Sequence, residues 1–116
     1  MKLFNLTLVF VLLLSSCSTA QQKTDKTIDF EHAQFIDVRT PSEFKNGTFE
    51  NAKNIPLSEL KERLDEVSKD QQTVVFCRSG SRSSRAIQLL KNAGYENIIN
   101  GVNSRQLQSL KEKQQP

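Results

Sequence analysis

One stretch constrains the fold of this chain more than any other, because an apolar segment runs through a cysteine into a loop rich in serine. Residues 74–76 are apolar and precede Cys77, and residues 78–83 contain two arginines, three serines and a glycine. From Ser84 to Ala93, apolar residues recur at helical spacing, which predicts an amphipathic helix. A strand, a loop and a helix in this order place Cys77 at the carboxyl end of a buried strand. The positive end of the helix then points at the sulfur.

This setting favours a reactive thiolate at Cys77. A free thiol with a pKa near 8.5 is only roughly 3% ionised at pH 7, whereas nearby cations and inward-pointing amides favour the anion. Gly80 can adopt a positive φ, so the backbone can close tightly around a small anion. We therefore predict that Cys77 is the catalytic residue, while a cysteine that packs as a small apolar residue is the alternative. The predicted anion-binding loop comprises Arg78, Ser79, Gly80, Ser81, Arg82 and Ser83.

Strand and helix signals alternate along the rest of the chain. A buried strand over residues 33–38 precedes a capping box in which Thr40 is the N-cap and Glu43 the third helical residue. Further signals predict a helix capped by Ser58, a short strand over 96–99, a turn at residues 100–101 and a last helix over 102–113. This alternation predicts an α/β fold with a parallel sheet covered on both faces. The carboxyl ends of its strands would bring Asp37 and Arg39 to the edge that holds Cys77.

The first residues predict export from the cell. Lys2 precedes a short apolar core over residues 6–14, which is typical of a signal peptide. Residues 14–17, Leu-Ser-Ser-Cys, resemble the bacterial lipobox, which implies cleavage before Cys17 and lipid on that cysteine. We expect a signal peptide over 1–16, a tether over 17–27, a domain over 28–113 and a tail over 114–116. Ser18 favours the outer over the inner membrane of the cell envelope, on its periplasmic side, and an ordinary secretory signal is the alternative.

Composition excludes several classes of function. The 16 basic and 13 acidic residues are scattered, so no nucleic-acid surface is expected. The two cysteines do not form a disulfide framework or a CxxC motif, so neither a zinc site nor another metal is predicted. His32, the only histidine, lies far in sequence from Cys77 and is expected to be a surface residue.

Residues 34–101 resemble a single-domain rhodanese, a sulfurtransferase of the α/β class. The matching segments are residues 35–44, Gly47 followed by residues 51–57, and residues 75–83. The resemblance implies a central parallel sheet with helices on both faces and a Cys77 that becomes a persulfide. It also implies that Arg78 and Arg82 cradle the sulfur and that Asp37 supports the loop, although a structural ion pair with Arg39 is an equal alternative. The chain departs from the family at residues 101–103, where Gly-Val-Asn replaces Gly-Gly and the tryptophan that follows.

The resemblance implies a sulfurtransferase that needs no cofactor. Its expected partners are a small anionic sulfur donor such as thiosulfate and a thiol or cyanide acceptor, with the membrane reached through lipid on Cys17. One alternative is a non-catalytic binding module at the membrane surface. Another is a phosphatase or arsenate reductase, but the loop of the phosphatases that share this fold is one residue longer than the segment between Cys77 and Arg82.

Overall fold

The computed structural model describes residues 27–116. Four strands and three α-helices alternate along this part of the chain, with one additional 3₁₀ segment, Leu57–Glu66. The strands are β1 (Gln34–Asp37), β2 (Lys53–Asn54), β3 (Thr73–Cys77) and β4 (Ile98–Asn103). The helices are α1 (Pro41–Lys45), α2 (Ser81–Asn92) and α3 (Ser104–Gln114).

The strands form one parallel sheet in the order β2-β1-β3-β4. Strand β3 lies between β1 and β4, and all five of its residues are buried. A strand that is buried on both faces reads as a continuous apolar run, because neither face meets water. The prediction of an α/β fold with a central parallel sheet is therefore confirmed.

The alternating side chains of β3 divide the core into two clusters. Val75 and Cys77 belong to the cluster that packs beneath α2 and the 3₁₀ segment, where Leu90 is fully buried. Val74 and Phe76 point to the opposite face and pack with Leu107 of α3. Helical elements consequently cover both faces of the sheet, and the sulfur of Cys77 lies on the α2 side.

The predicted capping box at the start of α1 is confirmed. The Thr40 hydroxyl accepts a hydrogen bond from the Glu43 backbone N–H, and the Glu43 carboxylate accepts one from the Thr40 backbone N–H. Pro41 occupies the first helical position, where its missing N–H costs no hydrogen bond. These local interactions start the helix directly after β1.

The helix predicted after Ser58 differs in type and in its cap. Residues 57–66 form a 3₁₀ segment with a kink at Arg63, and the residue at its N-cap position is Pro56, which makes no side-chain cap. The prediction that Ser58 caps the helix is wrong. The apolar spacing nevertheless serves the core, because Leu60 is fully buried against the α2 side of the sheet.

The end of β4 also differs from the prediction. Asn100 and Gly101 do not form a turn but lie within the strand, which extends to Asn103. Val75 pairs with Asn100 and Phe76 with Val102, so Gly101 is the extra residue of a β-bulge. A Cβ on Gly101 would lie 2.8 Å from Leu107 and 2.9 Å from Val74. The glycine thus permits close packing of α3 on the sheet instead of reversing the chain.

The predicted signal peptide over 1–16, the lipidated Cys17 and nearly all of the tether lie outside the described residues. Within residues 27–116, none of the helices has the length and apolar character required to cross a bilayer. His32 lies in this part of the chain and pairs with Asp29 at the surface, where its side chain is 78% exposed.

Candidate active site

Cys77 is the last residue of β3 and lies where the chain turns into α2. It is 2% exposed and is a free thiol. The carboxyl ends of parallel strands form the edge at which α/β proteins bind their ligands. Cys77 therefore lies at the edge of the sheet where the sequence predicted it.

The segment predicted as a loop is largely the first turn of α2. The helix begins at Ser81 and not at Ser84, because Gly80 takes the N-cap position with a φ of 92°. A glycine adopts this left-handed conformation without the steric cost that a Cβ imposes. Ser81 and Arg82 are consequently helical residues, and Ser83 is buried beneath the turn.

Backbone amides of this turn point at the sulfur. The N–H of Gly80 donates to Cys77 Sγ at 3.1 Å, and the N–H of Ser83 donates at 3.5 Å. The Ser83 hydroxyl oxygen also lies 3.5 Å from the sulfur. Together with the positive end of α2, the two N–H groups form a site that favours an anion at Sγ.

Two opposing effects set the pKa of Cys77. Burial alone raises the pKa, because it disfavours the charged thiolate. Hydrogen bonds from the backbone N–H groups of Ser83, Ser79 and Gly80 act in the opposite direction. The net result is a pKa below the ordinary value for a cysteine, which increases the fraction of nucleophilic thiolate near neutral pH.

Asp37 and Arg39 form a buried ion pair beside the site. The Asp37 carboxylate is inaccessible to solvent and accepts hydrogen bonds from the Arg39 backbone, from the Arg39 guanidinium at 2.7 Å and from Thr48 at 2.9 Å. The hydrogen bonds to Asp37 raise the pKa of Arg39. Arg39 also donates to the carbonyl of Gly47. The ion pair thus links the end of β1 to the chain after α1 while Arg39 stays at the edge of the site.

Arg82 is held by a second ion pair that joins α2 to α1. Its guanidinium donates to both carboxylate oxygens of Glu43, at 2.7 and 3.0 Å. These hydrogen bonds lower the pKa of Glu43 to about 2. The pair therefore contributes stability above the unfolded-state pKa of Glu43, and that contribution is lost as the pH falls through about 2. The cradle role of Arg82 stays a prediction, because Arg82 lines a separate cavity beside Thr40 and Leu57 and not the one at Cys77.

A cavity of about 310 Å³ opens onto Cys77. Three arginines, from three different parts of the chain, lie around it. Arg39 comes from the connection after β1, Arg78 from the loop after β3 and Arg105 from the first turn of α3. Asn103 and Ser104 complete the lining. Asp37 compensates the charge of Arg39, so the net positive charge of this concave site comes from Arg78 and Arg105. That charge attracts small anions and brings them next to the sulfur.

Arg105 did not emerge from the sequence as a site residue. The sequence predicts that β4 ends at residue 99. It therefore places residues 103–105 in the following helix, away from the sheet edge that holds Cys77. With β4 extended to Asn103, the start of α3 falls at the same edge as Cys77. Cys77 pairs with Asn103 in the sheet, and this pairing brings Arg105 to the site. Because the pairing of β3 with β4 cannot be derived from either strand alone, the sequence did not reveal Arg105.

The rhodanese-like domain family matches residues 20–103, which is more than half of the chain. This chain belongs to the rhodanese-like domain family. An uncharacterised Bacillus subtilis protein, YqhL, is 38% identical over 98 residues, which cover 78% of each chain. A sulfurtransferase from Allochromatium vinosum is 32% identical over 81 residues, covering 70% of this chain and 76% of the relative. A solved structure, "rhodanese with anions from E. coli", is 33% identical with a TM-score of 0.60, covering 64% of this chain and 89% of that one.

The family assignment agrees with the architecture of this rhodanese-like domain. Its central parallel sheet and surrounding helices are those of the solved relatives, so the expected rhodanese-like fold is confirmed. Its relatives include proteins that are named as sulfurtransferases.

Proposed function

We propose that this rhodanese-like protein is a sulfurtransferase that takes sulfane sulfur from a small anionic donor such as thiosulfate and carries it on Cys77. The observation that carries the proposal is the position of the Cys77 sulfur, which receives two backbone N–H hydrogen bonds at the base of a cavity lined by three arginines. The amides stabilise the thiolate, and the arginines attract the negative donor.

The reaction proceeds in two displacements. The Cys77 thiolate attacks the outer sulfur of thiosulfate, a new S–S bond forms, and the sulfur–sulfur bond of the donor breaks. Sulfite leaves with the bonding electron pair, so Cys77 holds a persulfide. A cyanide ion or a thiolate then attacks the outer sulfur of this persulfide, and the Cys77 thiolate is released as the leaving group. Neither displacement requires a general base when Cys77 reacts as the thiolate, which the hydrogen bonds from Gly80 and Ser83 favour.

The mass of Cys77 distinguishes a sulfur carrier from a binding module. We expect the peptide that contains Cys77 to gain one sulfur atom after incubation with thiosulfate, and to lose it again after addition of cyanide. If the mass of this peptide did not change with thiosulfate or with other anionic sulfane donors, the result would contradict sulfur transfer. That result would favour the alternative of a non-catalytic binding module at the membrane surface.

Substitution of the cavity arginines should weaken use of the donor. We expect Arg78→Ala and Arg105→Ala each to lower kcat/KM for thiosulfate by roughly 10- to 150-fold, because each removes a charge-assisted contact of about 1.5–3 kcal/mol. Steady-state thiocyanate formation measures this effect. Arg85→Ala is the matched control, since Arg85 lies on α2 outside this cavity and should leave kcat/KM unchanged. If all three variants kept the kcat/KM of the wild type, the donor would not contact Arg78 or Arg105.

We also propose that Cys17 anchors the protein to the cell envelope through lipid. The motif over residues 14–17 and the preceding apolar core support this proposal. Cys17→Ser should move the protein from the membrane fraction to the soluble fraction and remove the lipid from its intact mass. Cys77→Ser is the control, because it should stay with the membrane. A Cys17→Ser variant that still fractionates with the membrane would contradict anchoring through this cysteine.

A further inference from the structure

Asn100 is a half-buried residue of β4 whose side chain contacts the turn around Cys77. Its Oδ1 accepts hydrogen bonds from the Ser83 hydroxyl at 2.7 Å and from the Val102 backbone N–H at 2.9 Å. Its Nδ2 donates to the Gly80 carbonyl at 3.2 Å. A single amide therefore connects β4 to the two residues whose N–H groups point at the sulfur.

The backbone partners determine which way the Asn100 amide points. The Val102 N–H can only donate, so it must face the carbonyl oxygen of the side chain. The Gly80 carbonyl can only accept, so it must face the NH₂ group. Ser83 Oγ consequently lies 2.7 Å from an oxygen that carries no hydrogen. The Ser83 hydroxyl must be the donor in that contact.

The backbone of β4 is strained where it presents Asn100 to α2. Val102 has a φ of 67°, which is rare for a β-branched residue, and it follows the bulge at Gly101. Strain of this kind persists only where surrounding contacts impose it, and it clusters at functional sites. Here the hydrogen bond from the Val102 N–H to Asn100 Oδ1 spans the bulge and holds the amide toward Ser83.

The Ser83 hydroxyl has one hydrogen and three acceptors within reach. Asn100 Oδ1 is at 2.7 Å, the Gly80 carbonyl at 3.0 Å and Cys77 Sγ at 3.5 Å. The shortest contact takes the hydrogen, so a lone pair of Oγ faces the sulfur. We propose that Asn100 is a positioning residue that holds the Ser83 hydroxyl hydrogen away from Cys77 Sγ.

This arrangement limits how strongly the thiolate is stabilised. The Gly80 and Ser83 N–H groups still donate to the sulfur, but the hydroxyl does not add a third donor. A thiolate that is stabilised further ionises at lower pH but becomes a weaker nucleophile, because nucleophilicity falls with the pKa of the thiol. The effect of this arrangement on the rate of sulfur transfer rests on the proposed function. The hydrogen-bond arrangement around Ser83 is independent of that function.

The test uses the full chain and measures the rate at which iodoacetamide alkylates Cys77 as a function of pH. Mass spectrometry of the peptide that contains Cys77 quantifies the alkylation. Asn100→Leu should shift the midpoint down by roughly one pH unit, because the released hydroxyl then donates to the thiolate. In a Ser83→Ala background, Asn100→Leu should cause no shift. None of these variants changes a charged group near Cys77. Those groups line the cavity or form the ion pairs beside it, and they are Arg39, Arg78, Arg82, Arg105, Asp37 and Glu43.

Two further variants keep the proposal testable if Asn100→Leu does not fold. Ser83→Ala alone should leave the midpoint in place, whereas a rise of roughly one pH unit would show that the hydroxyl donates to the sulfur and would overturn the proposal. Ser84→Ala is the matched control, since Ser84 accepts from Asn100 Nδ2 at 3.0 Å and makes no hydrogen bond to Cys77. Its midpoint should equal that of the wild type.

An Asn100→Leu midpoint that stays unchanged or rises would overturn the positioning role. So would a downward shift of the same size with and without the Ser83 hydroxyl. Since alkylation needs no sulfur donor, these outcomes are separate from any failure of thiosulfate to form the persulfide.

Discussion

Cys77→Ser should lower thiocyanate formation from thiosulfate and cyanide by at least about 10³-fold. A serine hydroxyl does not ionise near pH 7, so the hydrogen bonds from Gly80 and Ser83 would have no thiolate to stabilise. The outer sulfur of the donor would then have no nucleophile to accept it. The measurement is the initial rate of thiocyanate release by purified protein at saturating thiosulfate.

The fold should tolerate this substitution, which makes the comparison clean. Cys77 is buried among the residues of the α2-side cluster, and serine is slightly smaller than cysteine. Its hydroxyl can accept from the same two N–H groups, so no buried donor loses its partner. Circular dichroism should show the wild-type spectrum. A folded Cys77→Ser protein that forms thiocyanate at the wild-type rate would refute sulfur transfer through Cys77.

Asp37→Ala should lower the free energy of unfolding by about 3–5 kcal/mol, because removing one partner of a buried ion pair leaves the other charge without compensation. Asp37 is inaccessible to solvent, and the Arg39 side chain is 15% exposed. The substitution would also remove the acceptor of the Thr48 hydroxyl. Since small domains are stable by only about 5–15 kcal/mol, the loss should be visible as a large fall in the urea midpoint.

Asp70→Ala provides the control for Asp37→Ala. It removes the same charge from an exposed position and should change stability by no more than about 0.5 kcal/mol. If both variants lost the same small amount, the Asp37–Arg39 pair would not stabilise the fold. The comparison also addresses the two interpretations of Asp37 and Arg39, since a structural pair predicts a loss of stability even when no donor is present.

Local features of the sequence were sufficient to predict the central part of the architecture. The apolar run before Cys77 indicated a strand buried on both faces, and β3 has that burial at every residue. The capping box at Thr40 and the end of the predicted helix at Ala93 each involve residues within a few positions of each other. In the structure Gly94 has a φ of 90°, and Tyr95 N–H closes the end of α2 on the Leu90 carbonyl. Such interactions need no distant partner, so they can be recognised before the chain is folded.

Local features failed where a distant contact overrides a local preference. Asn100-Gly101 has the composition of a turn, but the pair lies in β4 because α3 packs so closely that only a glycine fits there. The regular apolar spacing after Leu57 suggested an α-helix, whereas a kink at Arg63 accompanies 3₁₀ geometry. Neither outcome can be derived from the few residues on either side.

The sequence by itself determined that Cys77 ends a buried strand beneath a helix N-terminus, because strand, glycine and helix follow one another along the chain. Only the tertiary structure decided what surrounds the sulfur. Arg82 pairs with Glu43, 39 residues away, and Asn100 reaches Ser83 across 17 residues. Arg105 joins the cavity through the pairing of β4 with β3. The physical reason is that a side chain's direction depends on which strand lies beside it, and that neighbour is chosen by the packing of the whole sheet.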